Sequence, residues 1–426
     1  DGLIDLVTSN STGNNISIML GDGNGAFGSP INYATGTTAS GMNKGDFNND
    51  GSLDLVITNQ GGNSVSVLLG NGDATFNNAI NTPVVGGQPQ VVIVHDFDND
   101  SIPDLAVGCY SGALIIMQGD GAGNFSVLNT YYTSSGMGSI TLADFDNDGI
   151  LDIALPGGLT YYLYFLQGLG EGNFATPLSL SCNDRPYYLL AADLNNDTLP
   201  DIIAASHIDT SVTIFFNTGN FSFDSTAYYP FPGPYADPVF IALADFNGDS
   251  IQDILVSFGT LNGISVLPGI GNGNYSTEQH FSGASGSILA IAVDLNQDGK
   301  TDIIHPSQGT NSYYVLFNCT ATAVAEVSMQ NSEVKLYPTI VSDFFTVDLS
   351  NINLVLTHPE ISIYDQSGKI VWRYSNINIM RDGSNSYSIR LSCPPLPAGC
   401  YFINIAISPI NKNEKRYFLN GKIIII

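Results

Sequence analysis

The sequence predicts an all-β chain: a seven-bladed β-propeller, truncated at its N-terminus, followed by a small immunoglobulin-like β-sandwich. Three observations predict it. A nine-residue acidic motif recurs about every 49 residues, short apolar runs lie between the recurrences with no helical period, and the charge changes abruptly near residue 320.

The motif reads Asp46-Phe-Asn-Asn-Asp50-Gly-Ser-Leu-Asp54 and recurs at Asp96 to Asp104, Asp144 to Asp152, Asp193 to Asp201, Asp245 to Asp253 and Asp294 to Asp302. Asp1-Gly-Leu-Ile-Asp5 matches its second half. The chain therefore opens inside a seventh copy, and we expect a fragment whose leader has been lost. Each copy leads into an apolar run such as Leu55-Val56-Ile57 or Leu105-Ala106-Val107. A second run follows about ten residues later, as in Val65 to Leu69, and then a Gly-rich turn ending in an aromatic, as in Gly119 to Phe125. Runs of this length bounded by Gly, Asn and Asp are strands. Four strands per unit, repeated seven times, suit a propeller, whose closure hides the strand edges that an open stack exposes. The last copy ends at Phe317-Asn318-Cys319 without a Gly-rich turn or fourth strand.

Composition narrows the chemistry. Among 426 residues, 39 acids stand against 12 Lys and Arg, a net charge of −27 that excludes nucleic-acid binding. Hydrophobic residues at 43% exclude a disordered acidic tail, and no apolar run reaches the ~18 residues of a membrane span. Five cysteines (Cys109, Cys182, Cys319, Cys393, Cys400) show no zinc spacing; only Cys393 and Cys400 are close enough for a local disulfide, with two half-buried thiols as the alternative. His95, His207, His280, His305 and His358 fall at different repeat phases, so no recurring triad is visible. The Gly-rich turns precede strands, not helices, which argues against phosphate binding.

The loops carry the chemistry. Their pattern is Asp-x-[Asp/Asn]-x-Asp-[Gly/Ser/Thr]-x-x-Asp, which sets side-chain oxygens at positions 1, 3, 5 and 9 and a backbone carbonyl at 7. Such a set wraps a hard cation, and calcium accepts the irregular geometry a loop offers. No His or Cys, which transition metals favour, occupies a ligand position. The candidate ligands are Asp46, Asn48, Asp50 and Asp54; Asp96, Asp98, Asp100 and Asp104; Asp144, Asp146, Asp148 and Asp152; Asp193, Asn195, Asp197 and Asp201; Asp245, Asn247, Asp249 and Asp253; Asp294, Asn296, Asp298 and Asp302; and Asp1 and Asp5 of the incomplete first copy. Up to seven Ca2+ sites are expected. Four carboxylates around one point repel each other without a cation. Ser101, Thr198 and Ser250 replace Gly at position 6, and weaker binding is expected there. Protein oxygens on most sides, repeated in every blade, point to structural rather than catalytic ions.

Motif, period and Gly-Asn-Gly-x-x-Phe turns together resemble the FG-GAP or VCBS repeats of the integrin α-subunit head and of many bacterial surface proteins. The resemblance covers residues 1 to about 319. It implies a calcium-loaded seven-bladed propeller that serves as an adhesive or ligand-binding platform.

Residues 1–320 hold 31 acids against Lys44, Arg185 and Lys300, whereas residues 321–426 hold eight acids and nine bases. We place the propeller at 1–319, a small-residue linker at 320–333 and a second domain at 334–426. In that domain Val334-Lys-Leu-Tyr-Pro338, Ile361-Ser-Ile-Tyr-Asp-Gln-Ser-Gly-Lys-Ile-Val371 and Leu396-Pro-Ala-Gly-Cys-Tyr-Phe-Ile-Asn-Ile405 alternate apolar and polar residues. In this order they resemble the C-terminal sorting domain of the type IX secretion system, with departures at Thr339-Ile340 and Cys400. The resemblance implies the type IX machinery as partner, and a protein secreted from, or displayed on the outer membrane of, a Bacteroidota-type cell.

The expected function is a binding platform for a glycan or a protein, not an enzyme. The alternatives are an enzyme with its site at the propeller mouth, and a non-catalytic module of a larger polysaccharide-degrading enzyme. Tyr131-Tyr132, Tyr161-Tyr162, Tyr187-Tyr188 and Tyr228-Tyr229 recur in several blades; blade packing is their default role and carbohydrate stacking the alternative.

Overall fold

A computed structural model describes residues 2–318, apart from 135, 137, 183–184, 207–209, 232–236, 260–262, 282–288 and 308–311, and beyond them the strands between Val324 and Ile425. The chain is all-β, and its repeats are the seven blades of a β-propeller. Among the described residues no helix is long and apolar enough to cross a membrane. Asp1, Cys319 and Cys393 lie outside the described residues, and with them the first half-loop's Asp1 and the Cys393–Cys400 disulfide. Contacts divide the chain into two compact units, Asp1–Ala242 with Val256–Leu261 and Gly269–Glu278, and Leu243–Leu255 with Asn262–Pro268 and Gln279–Ile426.

Each blade is an antiparallel meander in chain order. Blade 2 comprises Ala39–Gly45, Asp54–Asn59, Ser64–Leu68 and Ile80–Pro83. Blades 3, 4, 5 and 6 repeat the same four strands, whereas blades 1 and 7 show three each among the described residues. The second strand of blade 2, Asp54–Asn59, is buried from end to end, as is Asp104–Cys109 in blade 3 and Asp201–Ser206 in blade 5. Its apolar residues face neighbouring blades on both sides, which is why it reads as an unbroken run and not an alternation.

Aromatic residues join successive blades. Phe47, at position 2 of its loop, meets Phe125 of blade 3 edge-to-face with centroids 5.5 Å apart. Phe97 meets Phe174 at 5.8 Å, and Phe145 meets Phe221 and Phe223. Such pairs contribute ~0.5–1.5 kcal/mol each beyond the area they bury. A donor from the next blade also latches each position-2 carbonyl: Gly123 N–H on Phe47, Gly172 N–H on Phe97 and Asn217 Nδ2 on Phe145.

The tyrosine pairs divide their labour. Tyr131 packs edge-on against Phe174, and its hydroxyl accepts that residue's N–H at 2.8 Å; Tyr229 treats Tyr275 the same way at 3.1 Å. Their neighbours Tyr132 and Tyr228 are exposed. In the second unit the counterparts of this packing, Phe246, Val266, Ile303 and Leu316, line a cavity of about 110 Å³ with Asn318. No aromatic occurs between Asn318 and Leu336.

From Val324 onward the described strands form two antiparallel sheets. One orders Val324–Ala325, Tyr417–Ile425, Gly399–Pro409, Leu356–Tyr364 and Ile370–Tyr374; the other Lys335–Val341, Phe344–Asp348, Tyr387–Ser392 and Ile379–Arg381. The strands Leu356–Tyr364 and Ile370–Tyr374 pair antiparallel, Ile361 with Tyr374 and Ile363 with Trp372.

Candidate metal centres

Each loop is built on a frame of backbone N–H groups bonded to aspartate. In blade 4 the position-1 residue Asp144 accepts the N–H of Asp148 on Oδ1 at 3.0 Å and that of Gly149 on Oδ2 at 2.8 Å. Asp46, Asp96, Asp193 and Asp294 accept the matching pair in their own loops. Asp148 in turn accepts the N–H of Ile150 at 2.8 Å, an Asx-turn that closes the loop.

These bonds demand left-handed backbone at two places. Position 4 takes it at Asn49, Asn99, Asn147 and Asn196 (φ 57° to 64°), a conformation Asn tolerates better than most residues. Position 6 takes it at Gly149 (φ 89°), and also at Ser101, Thr198 and Ser250 (φ 70°, 75° and 66°). The three substituted loops still make the position-6 hydrogen bond at 2.8–2.9 Å. Their cost lies in backbone strain, not in a lost contact.

The position-9 aspartates are the most buried carboxylates among the described residues. Asp54, Asp152, Asp201 and Asp302 have no exposed surface. Asp152 accepts the N–H of Phe145 on Oδ2 at 2.8 Å and that of Gly168, across the next hairpin, on Oδ1 at 2.7 Å. The same clamp joins Asp54 to Phe47 and Gly70, Asp104 to Phe97 and Gly119, Asp201 to Leu194 and Asn217, and Asp302 to Leu295 and Asn318. At Gly168 an added Cβ would lie 2.3 Å from the Leu151 carbonyl oxygen, so this close approach favours glycine. In blade 1, Asp5 accepts the N–H of Gly21 at 2.9 Å.

Burial and neighbouring charge both disfavour the ionised form of the buried loop carboxylates. Burial pushes Asp54, Asp104 and Asp201 above the ordinary carboxylate range, and Asp152 and Asp302 to about 6, despite two N–H donors on each. Asp146 is raised as well, by burial first and by the charge of Asp148 second. Asp50 goes the other way, held low chiefly by the Ser52 N–H.

Two loops bring three carboxylates together. One oxygen each of Asp96, Asp98 and Asp104 lies within 4.8 Å of the others, and Asp144, Asp146 and Asp152 converge likewise. Positions 1, 3 and 9 thus meet, while the position-5 carboxylates Asp100 and Asp148 stay outside these two groups. In three of the four loops with Asn at position 3 the amide turns on position 5: Asn48 Nδ2 reaches Asp50 at 2.8 Å, Asn195 Nδ2 reaches Asp197 at 2.8 Å and Asn296 Nδ2 reaches Asp298 at 3.3 Å. The donor set is all oxygen, and Asp146 Oδ1 is buried without a hydrogen bond of good geometry, although the Asp148 N–H acts on the same carboxylate. A buried anionic oxygen without a good hydrogen bond calls for a positive charge. The residues fit a hard divalent cation held by positions 1, 3 and 9, which would neutralise the cluster and cross-link the loop.

Residues 1–57, 46–107, 96–155, 193–256 and 245–305 match the FG-GAP-like repeat. The chain belongs to the FG-GAP-like repeat family. Residues 335–419 match the secretion system C-terminal sorting domain, which supports export to the cell surface or beyond. No curated protein sequence is significantly similar to the chain. Among solved structures, a protein from Lactobacillus plantarum aligns with a TM-score of 0.56 at 13% identity, over 73% of this chain and 91% of its own. A periplasmic gluconolactonase from Pseudomonas aeruginosa gives 0.52 at 14%, over 73% and 91%. An Agrocybe aegerita protein that recognises non-reducing terminal N-acetylglucosamine gives 0.50 at 18%, over 72% and 85%. At such identities the likeness is one of fold.

Sequence reasoning missed three parts of the FG-GAP loops. The left-handed position 4 was signalled by its recurring Asn. The position-9 clamp was signalled by a turn residue 15 or 16 positions downstream, Gly70, Gly119, Gly168, Asn217 or Asn318. Gln118 and Gln167, which donate to Asp98 and Asp146, stand out only when the repeats are aligned on that residue.

Proposed function

We propose that this protein is a secreted or surface-displayed propeller, stabilised by calcium in its FG-GAP loops, that serves as a non-catalytic binding platform for a glycan or a protein. Residues 1–319 form the platform, 320–333 the linker, and 334–426 the domain that engages the type IX secretion machinery. The observation that carries the calcium reading is the convergence of Asp144, Asp146 and Asp152 around a buried oxygen that lacks a good hydrogen bond. The non-catalytic reading draws on His305, which is buried, stacked on Tyr314 at 5.3 Å and pushed down to about 4 by burial. That is the behaviour of a core residue. Likeness of fold to a lactonase and to a sugar-binding protein does not choose a use, because one fold hosts many.

At free calcium ten times the dissociation constant, each site adds ~1.4 kcal/mol, so six complete loops add ~8 kcal/mol if independent. That is comparable to the whole stability of an ordinary domain. Thermal melting with calcium and with a chelator should therefore differ by many degrees; identical melts would remove structural calcium from the reading. Glycan and matrix-protein arrays probed in calcium test the platform, and a blank on both would sink it.

A further inference from the structure

The residue just before the clamped turn position differs among the repeats. It is Leu20, Leu69, Gln118, Gln167, Phe216, Pro268 and Phe317 in chain order. The two glutamines fall in the two complete repeats whose loop has Asp at position 3, Asp98 and Asp146; the other four have Asn48, Asn195, Asn247 and Asn296. The structure joins the two features. Gln118 Nε2 donates to Asp98 Oδ2 at 2.5 Å, and Gln167 Nε2 donates to Asp146 Oδ2 at 2.7 Å.

We propose that Gln118 and Gln167 are positioning residues that make the loops of blades 3 and 4 a separate, tighter pair of calcium sites; this rests on the calcium reading above. Each glutamine holds one oxygen of the position-3 carboxylate. In blade 4 the other oxygen, Asp146 Oδ1, is left buried and without a good hydrogen bond. Outer partners that fix a ligand's orientation are worth about 10–100-fold in metal affinity. Charge acts in the same direction, because these loops converge three carboxylates where an Asn loop offers one fewer. In three of the four Asn loops the amide is spent within the loop: Asn48, Asn195 and Asn296 donate to Asp50, Asp197 and Asp298. Such a loop satisfies its own charge and needs no partner from the strand, which explains why Leu69, Phe216 and Phe317 suffice there.

Calcium titration of the full chain by calorimetry tests this, with the metal alone as probe. Two sites should bind at least about tenfold more tightly than the rest. Gln167→Leu, which installs the residue found at position 69, should move one site into the weaker class while leaving the number of sites unchanged. Gln118→Leu should do the same in blade 3. Asp146→Asn should also demote one site, and adding Gln167→Leu to it should change nothing more, since the asparagine amide then turns to Asp148. A single affinity class, an unshifted Gln167→Leu titration, or additive losses in the double variant would each overturn the proposal while leaving the calcium reading intact. Absence of any calcium uptake would overturn both.

Discussion

The loops of blades 2 and 4 have the same backbone and spend their charges differently. In both, the position-1 carboxylate receives the N–H groups of positions 5 and 6, and the buried position-9 carboxylate receives position 2 and the downstream glycine. They part at position 3. Asn48 carries its own amide to Asp50, whereas Asp146 borrows one from Gln167 on the neighbouring strand and keeps a buried oxygen without a good hydrogen bond. The two loops therefore share the frame built on positions 1 and 9 and differ in how position 3 is satisfied.

The sharpest way to break that comparison is at position 9. Asp152→Ala leaves the Phe145 and Gly168 N–H groups buried without an acceptor, at ~1–3 kcal/mol each, so the loss should total ~2–6 kcal/mol. Asp54→Ala should cost the same in blade 2. Melts in chelator would read both, and a loss confined to calcium-loaded protein would make the clamp secondary to the ion.

Acid supplies a control outside both loop classes. His305 titrates at about 4 in the folded chain against an ordinary 6.5, because burial disfavours its charged form. The contribution is fully present above pH 6.5 and is lost as pH falls from 6.5 toward 4, where the unfolded chain takes up the proton first. The span corresponds to about 3 kcal/mol. Denaturant titrations at pH 7 and pH 4.5 should show a smaller acid loss in His305→Phe than in the parent, in calcium and in chelator alike. Equal losses would remove His305 as the source of the acid sensitivity.

The smallest effect separates blade 3 from blade 4. Ser101 holds a left-handed backbone (φ 70°) where blade 4 has Gly149. Ser101→Gly should relieve about 1 kcal/mol of strain and raise the melt in chelator by a few degrees. A lowered melt would mean that the serine side chain contributes something the hydrogen-bond frame does not explain.

Much of this was legible in the residues before any coordinates. The Asp46 to Asp54 motif and its recurrences placed every loop, and the unbroken apolar runs after Asp54, Asp104 and Asp201 located the fully buried second strands. The tyrosine pairs were read as blade packing, and Tyr131 and Tyr229 do pack so, while Tyr132 and Tyr228 turn outward. Less legible was the convergence of positions 1, 3 and 9 without position 5. Spacing puts Asp148 beside Asp146, but in the fold its carboxylate accepts the Ile150 N–H and lies outside the group of three.

Local spacing determined which oxygens share a turn, how often the turn recurs and where the charge balance changes, because those properties depend only on neighbours along the chain. Tertiary structure decided which of those oxygens are buried, which are already engaged by backbone N–H groups, and which receive an amide from a residue some twenty positions away. Antiparallel pairing within a blade carries Gly168 and Gln167 back over the loop that begins at Asp144. That register follows from the packing of apolar strands, and the acidic motif does not encode it.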